Sequence, residues 1–542
     1  MTASRRIITN TLATYLKLVV FALTGLITVP IALRTLGAVD YGIYSVVGGC
    51  LAFLTFLNIS LQNGAQRHIA YALGEGRKEE ASKWFKTSLI VHFVLGLAIG
   101  ASAILASDWI LHHLLTLPAS RLAAAAWIYR MVVLAMVCNV VSTPYQALLI
   151  AHEAIASISL LNTLSGIFLM VSIFCLKLLP GDALLWYGAI YCLFQVSMAV
   201  GPALYCYYRY SESRFWPLTV DHPRGRFREL FNFSGWTMLL VLSTFVRVQG
   251  PAVVLNVFFG PIANAAYGLA VQVYWLASGI IWGFLGSTTP SIVKRQASGD
   301  YRGMAVLSDQ SNTYGFAILW IILAPVLFEM GFCLKLWLHT PPPSTAAFLM
   351  PVLIALLIDQ LTLGYNSSLV ATGRMAGFSL VIFITNSAGV PAGYFFLRAG
   401  MPGTWILWAI VVGAVAAGCG RLWFANRNAS ISVRNWAGNV LFPATLCLLG
   451  SSAALLALIH VFGDGMGRFA MVVAANLTVV CLVMWFFGTT AEQRSKLLAL
   501  AVSFPGRLSR KPAAQAHRIA GETLMNRKFL EKSEPRVITP GD

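Results

Sequence analysis

Fourteen apolar runs, each of about 20 residues or more, leave this 542-residue chain few ways to fold. A helix of about that length crosses the hydrocarbon core of a bilayer. The runs fall near 11–33, 42–63, 84–107, 122–150, 154–179, 183–208, 233–258, 262–290, 311–338, 346–372, 375–398, 402–425, 437–462 and 467–489. Hydrophobic residues make up 58% of the chain and charged ones 11%, too few charges to clothe a water-soluble surface. No backbone polar group can go unpaired in lipid, so each run is expected to be helical. The expected fold class is an all-α polytopic membrane protein.

The pattern repeats. The stretch LGAVDYGIYSVV (Leu36–Val47), followed by SLQNGAQRHIAYALGEGRKEEA (Ser60–Ala81), returns as FFGPIANAAYGLAVQV (Phe258–Val273) and GSTTPSIVKRQASGDYRGMA (Gly286–Ala305). Gly37 matches Gly260, Tyr41-Gly42 matches Tyr267-Gly268, and Arg67 falls near Lys294. Further on, TPYQALLIA (Thr143–Ala151) aligns with LGYNSSLVA (Leu363–Ala371). Spans 1–6 therefore correspond to spans 7–12. Six is even, so the copies insert in the same direction, as two six-helix lobes related by a pseudo-two-fold along the membrane normal. The expected divisions are an N-lobe (1–208), a linker (209–232), a C-lobe (233–425), two added spans (426–490) and a basic tail (491–542).

Net charge is +18, but the basic residues sit in short loops and the tail, which encodes topology rather than nucleic-acid binding. With the N-terminus inside, 29 of 38 Lys and Arg lie on the cytoplasmic side. Six lie outside (Arg34, Arg121, Lys177, Lys335, Arg398, Arg468) and three within spans (Lys17, Arg130, Arg247). Both termini are expected to be cytoplasmic. The linker and the tail segment Arg494–Lys511 read as interfacial, with membrane anchoring and partner binding both open for the tail.

Little here suggests catalysis. Loops on the external side are short, and no P-loop or G-x-G-x-x-G signature appears. The nine cysteines lie in apolar runs without a C-x-x-C, and His112-His113 lacks a further ligand nearby. No cofactor or metal is expected.

Charge inside the membrane carries more information, because a central Arg or Lys costs about 2.5–3.5 kcal/mol on insertion scales. Arg247 is central in span 7 and shares a face with Ser243 and Thr244. Lys17 in span 1 shares a face with Thr24, the repeat equivalent of Arg247. Asp359 is central in span 10, and its equivalent in span 4 is Asn139. Two readings of Arg247 stand side by side: a cation lining a cavity between the lobes, and a structural pair with Asp359. Lys17 either joins that cavity or snorkels to the interface. The polar end of span 2 (Gln62, Asn63, Arg67) and its echo after span 8 (Lys294, Arg295) form an expected cytoplasmic gate.

The duplicated lobes, the two added spans, the L-G-x-x-x-Y-G turn and the polar end of span 2 resemble the multidrug/oligosaccharidyl-lipid/polysaccharide exporter superfamily. Within it the chain is similar to the Wzx-type flippases of lipopolysaccharide and exopolysaccharide synthesis. The resemblance implies a transporter, not an enzyme, in the bacterial inner membrane. It would move an undecaprenyl-diphosphate-linked glycan by alternating access. Membrane lipids, a polysaccharide polymerase and a chain-length regulator are the implied partners, with no nucleic acid. The alternatives are a multidrug exporter of the same superfamily, for which a basic cavity is unsuited, and a membrane-embedded polymerase or ligase, for which the external loops are short.

Overall fold

In the computed structural model the described residues are 3–52, 56–214, 223–489 and 494–495. Among them the regular structure is helical throughout, with no strand. Residues 215–222 of the linker and nearly all of the tail fall outside the described residues, as does the side chain of Asn63.

Among the described residues, twelve helices are long and apolar enough to span a membrane. Two continuous helical stretches, Ala3–Ala52 and Pro223–Ala297, each contain one residue with non-helical torsions. Those residues are Gly37 (φ 76°, ψ 169°) and Gly260 (φ 73°, ψ −167°). This region of torsion space is open essentially to glycine alone. Each glycine kinks its stretch where the sequence placed a turn between two of the fourteen expected spans. The pair matched from sequence thus shares one backbone conformation, and the internal repeat is visible in the torsion angles.

Span 2 continues in Phe56–Gly74, and spans 3 to 6 are Lys78–Leu105, Leu122–Ala151, Ile155–Phe174 and Ala183–Arg209. Spans 7 and 8 form the bent Pro223–Ala297 stretch, whose helix begins ten residues before the expected start of span 7. Spans 9 to 12 are Tyr301–Phe328, Thr345–Leu363, Ala376–Arg398 and Thr404–Asn428. Span 13 includes a π-helical turn, Ala437–Leu441, before Phe442–Val461, and span 14 begins at Met466.

The contacts described here lie within residues 1–480, one compact unit. In the first half, span 4 packs on spans 3 and 6, and span 5 on spans 1 and 6. In the second, span 11 packs on span 12 and on the bent stretch, and span 10 on spans 9 and 12. Two buried clusters each keep to one half: Leu61, Phe85 and Leu148 sit in one, Leu255, Ile406 and Ala414 in another. Leu105, Leu178 and Phe395 stand exposed, as lipid-facing residues do.

The halves meet where the two bent stretches cross. A Cβ on Gly42 would lie 1.8 Å from the carbonyl oxygen of Pro261, and one on Gly268 would lie 2.2 Å from Ser45 Oγ. Each member of the matched Tyr-Gly pair therefore presses on the opposite half. Lipid offers no hydrophobic drive between helices, so such close backbone approach supplies dispersion contact in its place. Polar contacts add to the seam. Thr116 N donates to Asn256 Oδ1 at 2.7 Å, Trp337 Nε1 donates to the Leu26 carbonyl at 2.9 Å, and Arg34 meets His339. The seam extends to Gly25 against Gln272 and Gly49 against Gln249, each about twelve residues from its bend. Twelve helical residues are about 18 Å.

Candidate functional site: a shared carboxylate in the second half

Span 7 brings Ser243, Thr244 and Arg247 to one face; span 10 brings Asp359, and the short helix that follows it, Tyr365–Ala371, brings Asn366, to meet that face. A salt bridge joins Arg247 Nη1 to Asp359 Oδ2, with both side chains buried. Span 12 supplies a third member that sequence reasoning missed. Arg421 Nη1 lies 2.9 Å from Asp359 Oδ1 and donates to Thr362 Oγ1 at 3.3 Å. One carboxylate is thus shared by two guanidiniums, and Arg247 Nη2 also donates to Tyr274 Oη at 3.4 Å. All three charged groups are nearly inaccessible: Arg247 is 7%, Asp359 2% and Arg421 3% exposed.

Span 12 can present Arg421 here because it crosses span 11 closely. A Cβ on Gly393 would lie 2.8 Å from Ile406 Cα, and one on Gly389 3.0 Å from Ile410 Cα. This is the small-xxx-small spacing that lets helix backbones approach. The inward face of span 12 consists of Ala414, Ala417, Gly418 and then Arg421.

The cluster borders a cavity of about 70 Å³. Its lining comes entirely from spans 7, 8, 10, 11 and 12 and the short helix after span 10. Thr244 is among its lining residues, whereas Lys17, Thr24 and Asn139 are not. Thr24 is buried in the first half with its hydroxyl facing Gly166 of span 5. Asn139 is half-buried, its carbonyl accepting from Ser142 and Thr143. Lys17 is half-buried and takes part in no ion pair among the described residues. At the two matched positions the second copy is therefore charged, with Arg247 and Asp359, where the first carries Thr24 and Asn139.

The gate residues lie elsewhere. Gln62 is half-buried, while Arg67, Lys294 and Arg295 are exposed, and Arg295 pairs with Asp300 at 2.8 Å. Beside the bends, Arg121 bridges Asp40 at 2.5 Å and Asp182 at 2.7 Å. Its hydrogen bond holds the Asp182 carboxyl below the ordinary aspartate range. Among the described residues no three His, Cys, Asp or Glu side chains gather as a metal site would require.

The sequence model of the family described as "Polysaccharide biosynthesis protein" matches residues 7–296, more than half of the chain. The chain belongs to that family. No curated protein matches it. Among solved structures, an inward-facing multidrug resistance MATE family transporter of the MOP superfamily has a TM-score of 0.60 at 17% identity, covering 77% of this chain and 94% of its own. The lipid II flippase MurJ, in an inward closed conformation, also has a TM-score of 0.60, at 11% identity, covering 89% and 98%. An outward-facing MATE family structure reaches 0.54 at 18% identity, covering 76% and 96%. At these identities the likeness is one of fold. This family member is an all-α, multi-pass membrane protein with the architecture of superfamily transporters, as its duplicated spans led one to expect.

Proposed function

We propose that this chain is a flippase that turns an undecaprenyl-diphosphate-linked oligosaccharide from the cytoplasmic to the periplasmic leaflet of the bacterial inner membrane. The observation that carries the reading is the ratio of charges in the cluster around Asp359, two guanidiniums to one carboxylate, buried among apolar spans. A diphosphate crossing a low-dielectric region needs compensating positive charge. A cation exporter would be better served by surplus acid. Family membership and a fold shared with the lipid II flippase agree with this choice.

In this reading the bends at Gly37 and Gly260 are periplasmic and both termini cytoplasmic. The seam through Gly42 and Gly268 is then the closed outer door, and Gln62, Asn63, Arg67, Lys294 and Arg295 border the inner one. Arg247, with Asp359, Thr244, Lys17, Thr24 and Asn139 along the route, attracts the diphosphate once the halves part. A polysaccharide polymerase and a chain-length regulator are the partners that would use the delivered glycan.

The test is the leaflet in which lipid-linked repeat units collect when the gene is deleted. A flippase defect leaves them in the inner leaflet. Accumulation in the outer leaflet would instead indicate a polymerase or ligase and reject the proposal. Arg247→Lys, which keeps charge but loses the bidentate fork, should restore part of the export that Arg247→Ala loses.

A further inference from the structure

The charge in the second half does not balance among the groups that line its cavity. Asp359 is the only acid there, and it faces both Arg247 and Arg421, which leaves one positive charge over. Unpartnered polar atoms face the same space. Arg421 Nε and the Ser278 hydroxyl, on residues 3% and 2% exposed, are buried donors without a hydrogen-bond partner among the described residues, and the amide oxygens of Asn366 and Asn386 are unpartnered too. All four residues line the same cavity of about 70 Å³. Water needs only about 10–15 Å³ by such a measure, so the space takes more than one particle of that size. Water could satisfy the N–H and O–H groups but could not neutralise the charge.

We propose that this cavity binds a small monovalent anion, chloride in the cell, among the guanidiniums of Arg421 and Arg247 and the hydroxyl of Ser278, which all line it. One negative charge balances the surplus, and its bare surface accepts the two unpartnered donors. A carrier diphosphate with its glycan is too large for a space of about 70 Å³, whose walls all belong to one half. Trp282 is the one lining residue that is exposed, which places the entry beside it. The inference goes beyond the flippase reading, because the anion neutralises the cluster while no diphosphate stands near it.

The experiment uses the full chain, purified in gluconate buffer and titrated with chloride, bromide or inorganic phosphate while thermal unfolding is followed. Chloride and bromide are expected to raise the midpoint saturably. Ser278→Ala should weaken the halide effect about tenfold by removing one hydrogen bond to a charged group. Arg421→Gln should abolish it and Arg421→Lys should keep part. Ser278→Ala alters only one hydroxyl, so the proposal stays testable if the arginine variants fail to fold. Crystals soaked in bromide should show its anomalous signal within the cavity. The idea is overturned if halide has no saturable effect, if Ser278→Ala leaves that effect unchanged, or if bromide is absent from the cavity. Stabilisation by phosphate alone would assign the charge to a phosphate headgroup and would overturn it equally. None of these readouts involves transport, so failure here is separable from failure of the flippase reading.

Discussion

Gly42 lies against the carbonyl of Pro261, while its repeat counterpart Gly268 lies against the side chain of Ser45. The two contacts are reciprocal in position but unequal in give. A backbone carbonyl held in a helix cannot swing aside, whereas a serine hydroxyl can rotate. Gly42→Ala is therefore expected to disturb the seam more than Gly268→Ala. Adding Ser45→Gly should relieve the second variant and leave the first unrelieved. Crosslinking between cysteines placed at Arg34 and His339 reports the seam, and equal loss in both variants would refute the asymmetry.

The two bends allow a cleaner comparison. Gly37→Ala and Gly260→Ala place a side chain at φ near +75°, which should cost of order 1–3 kcal/mol each. Gly48→Ala, where a Cβ meets nothing within 4 Å and φ is ordinary, is the control. Thermal unfolding in detergent should show a drop for the first two and little change for the third.

Sharing one carboxylate between two arginines sets an order of damage. Asp359→Asn strands two guanidiniums, whereas Arg247→Ala or Arg421→Ala still leaves one neutral pair. The aspartate variant should be the worst of the three, at roughly 3–5 kcal/mol, and adding Arg421→Gln to it should recover part of the loss. Unfolding midpoints that rank an arginine variant below Asp359→Asn would contradict this arrangement.

Arg121 ties the start of span 2 to the turn before span 6 through Asp40 and Asp182. The group is partly exposed, so Arg121→Gln should cost only about 1 kcal/mol. Because the Asp182 carboxyl is held below its ordinary range, its contribution is present above about pH 3.9 and is lost as pH falls through the lowered folded value. The difference in unfolding midpoint between wild type and Arg121→Gln should accordingly persist at pH 5 and shrink below pH 4.

Orientation is open to reporter fusions. Those at Pro118 and Gly465 should read periplasmic and those at Gly225 and Gly299 cytoplasmic. Inversion at two of the four sites would reverse the assignment of the doors.

The spans, the matched glycines and the buried Arg247 were legible because each leaves a local mark: length, a repeated turn, a charge far from either end. Asp359 was legible for the same reason. Arg421 was not. With span 12 expected to stop at 425, it read as one more basic residue at a cytoplasmic end. The helix instead runs to Asn428, which puts Arg421 two turns inside. The signal that could have found it was the run of small residues on its own face, Ala414, Ala417 and Gly418, which marks the side turned toward a neighbour. That one cavity is walled wholly by the second half was not readable either, because a helical wheel gives a residue's direction without naming the helix it meets.

The joints at Gly37 and Gly260 are one residue long, and a joint of that length has no slack. A tilt of span 7 cannot be absorbed in a loop. It must reach span 8 as rotation about the bonds of Gly260, and spans 1 and 2 are coupled in the same way at Gly37. Since the two elbows also rest on each other through Gly42 and Gly268, neither can swing while the other stays still. The two halves are geared at this end, so a push on one is felt by the other as leverage.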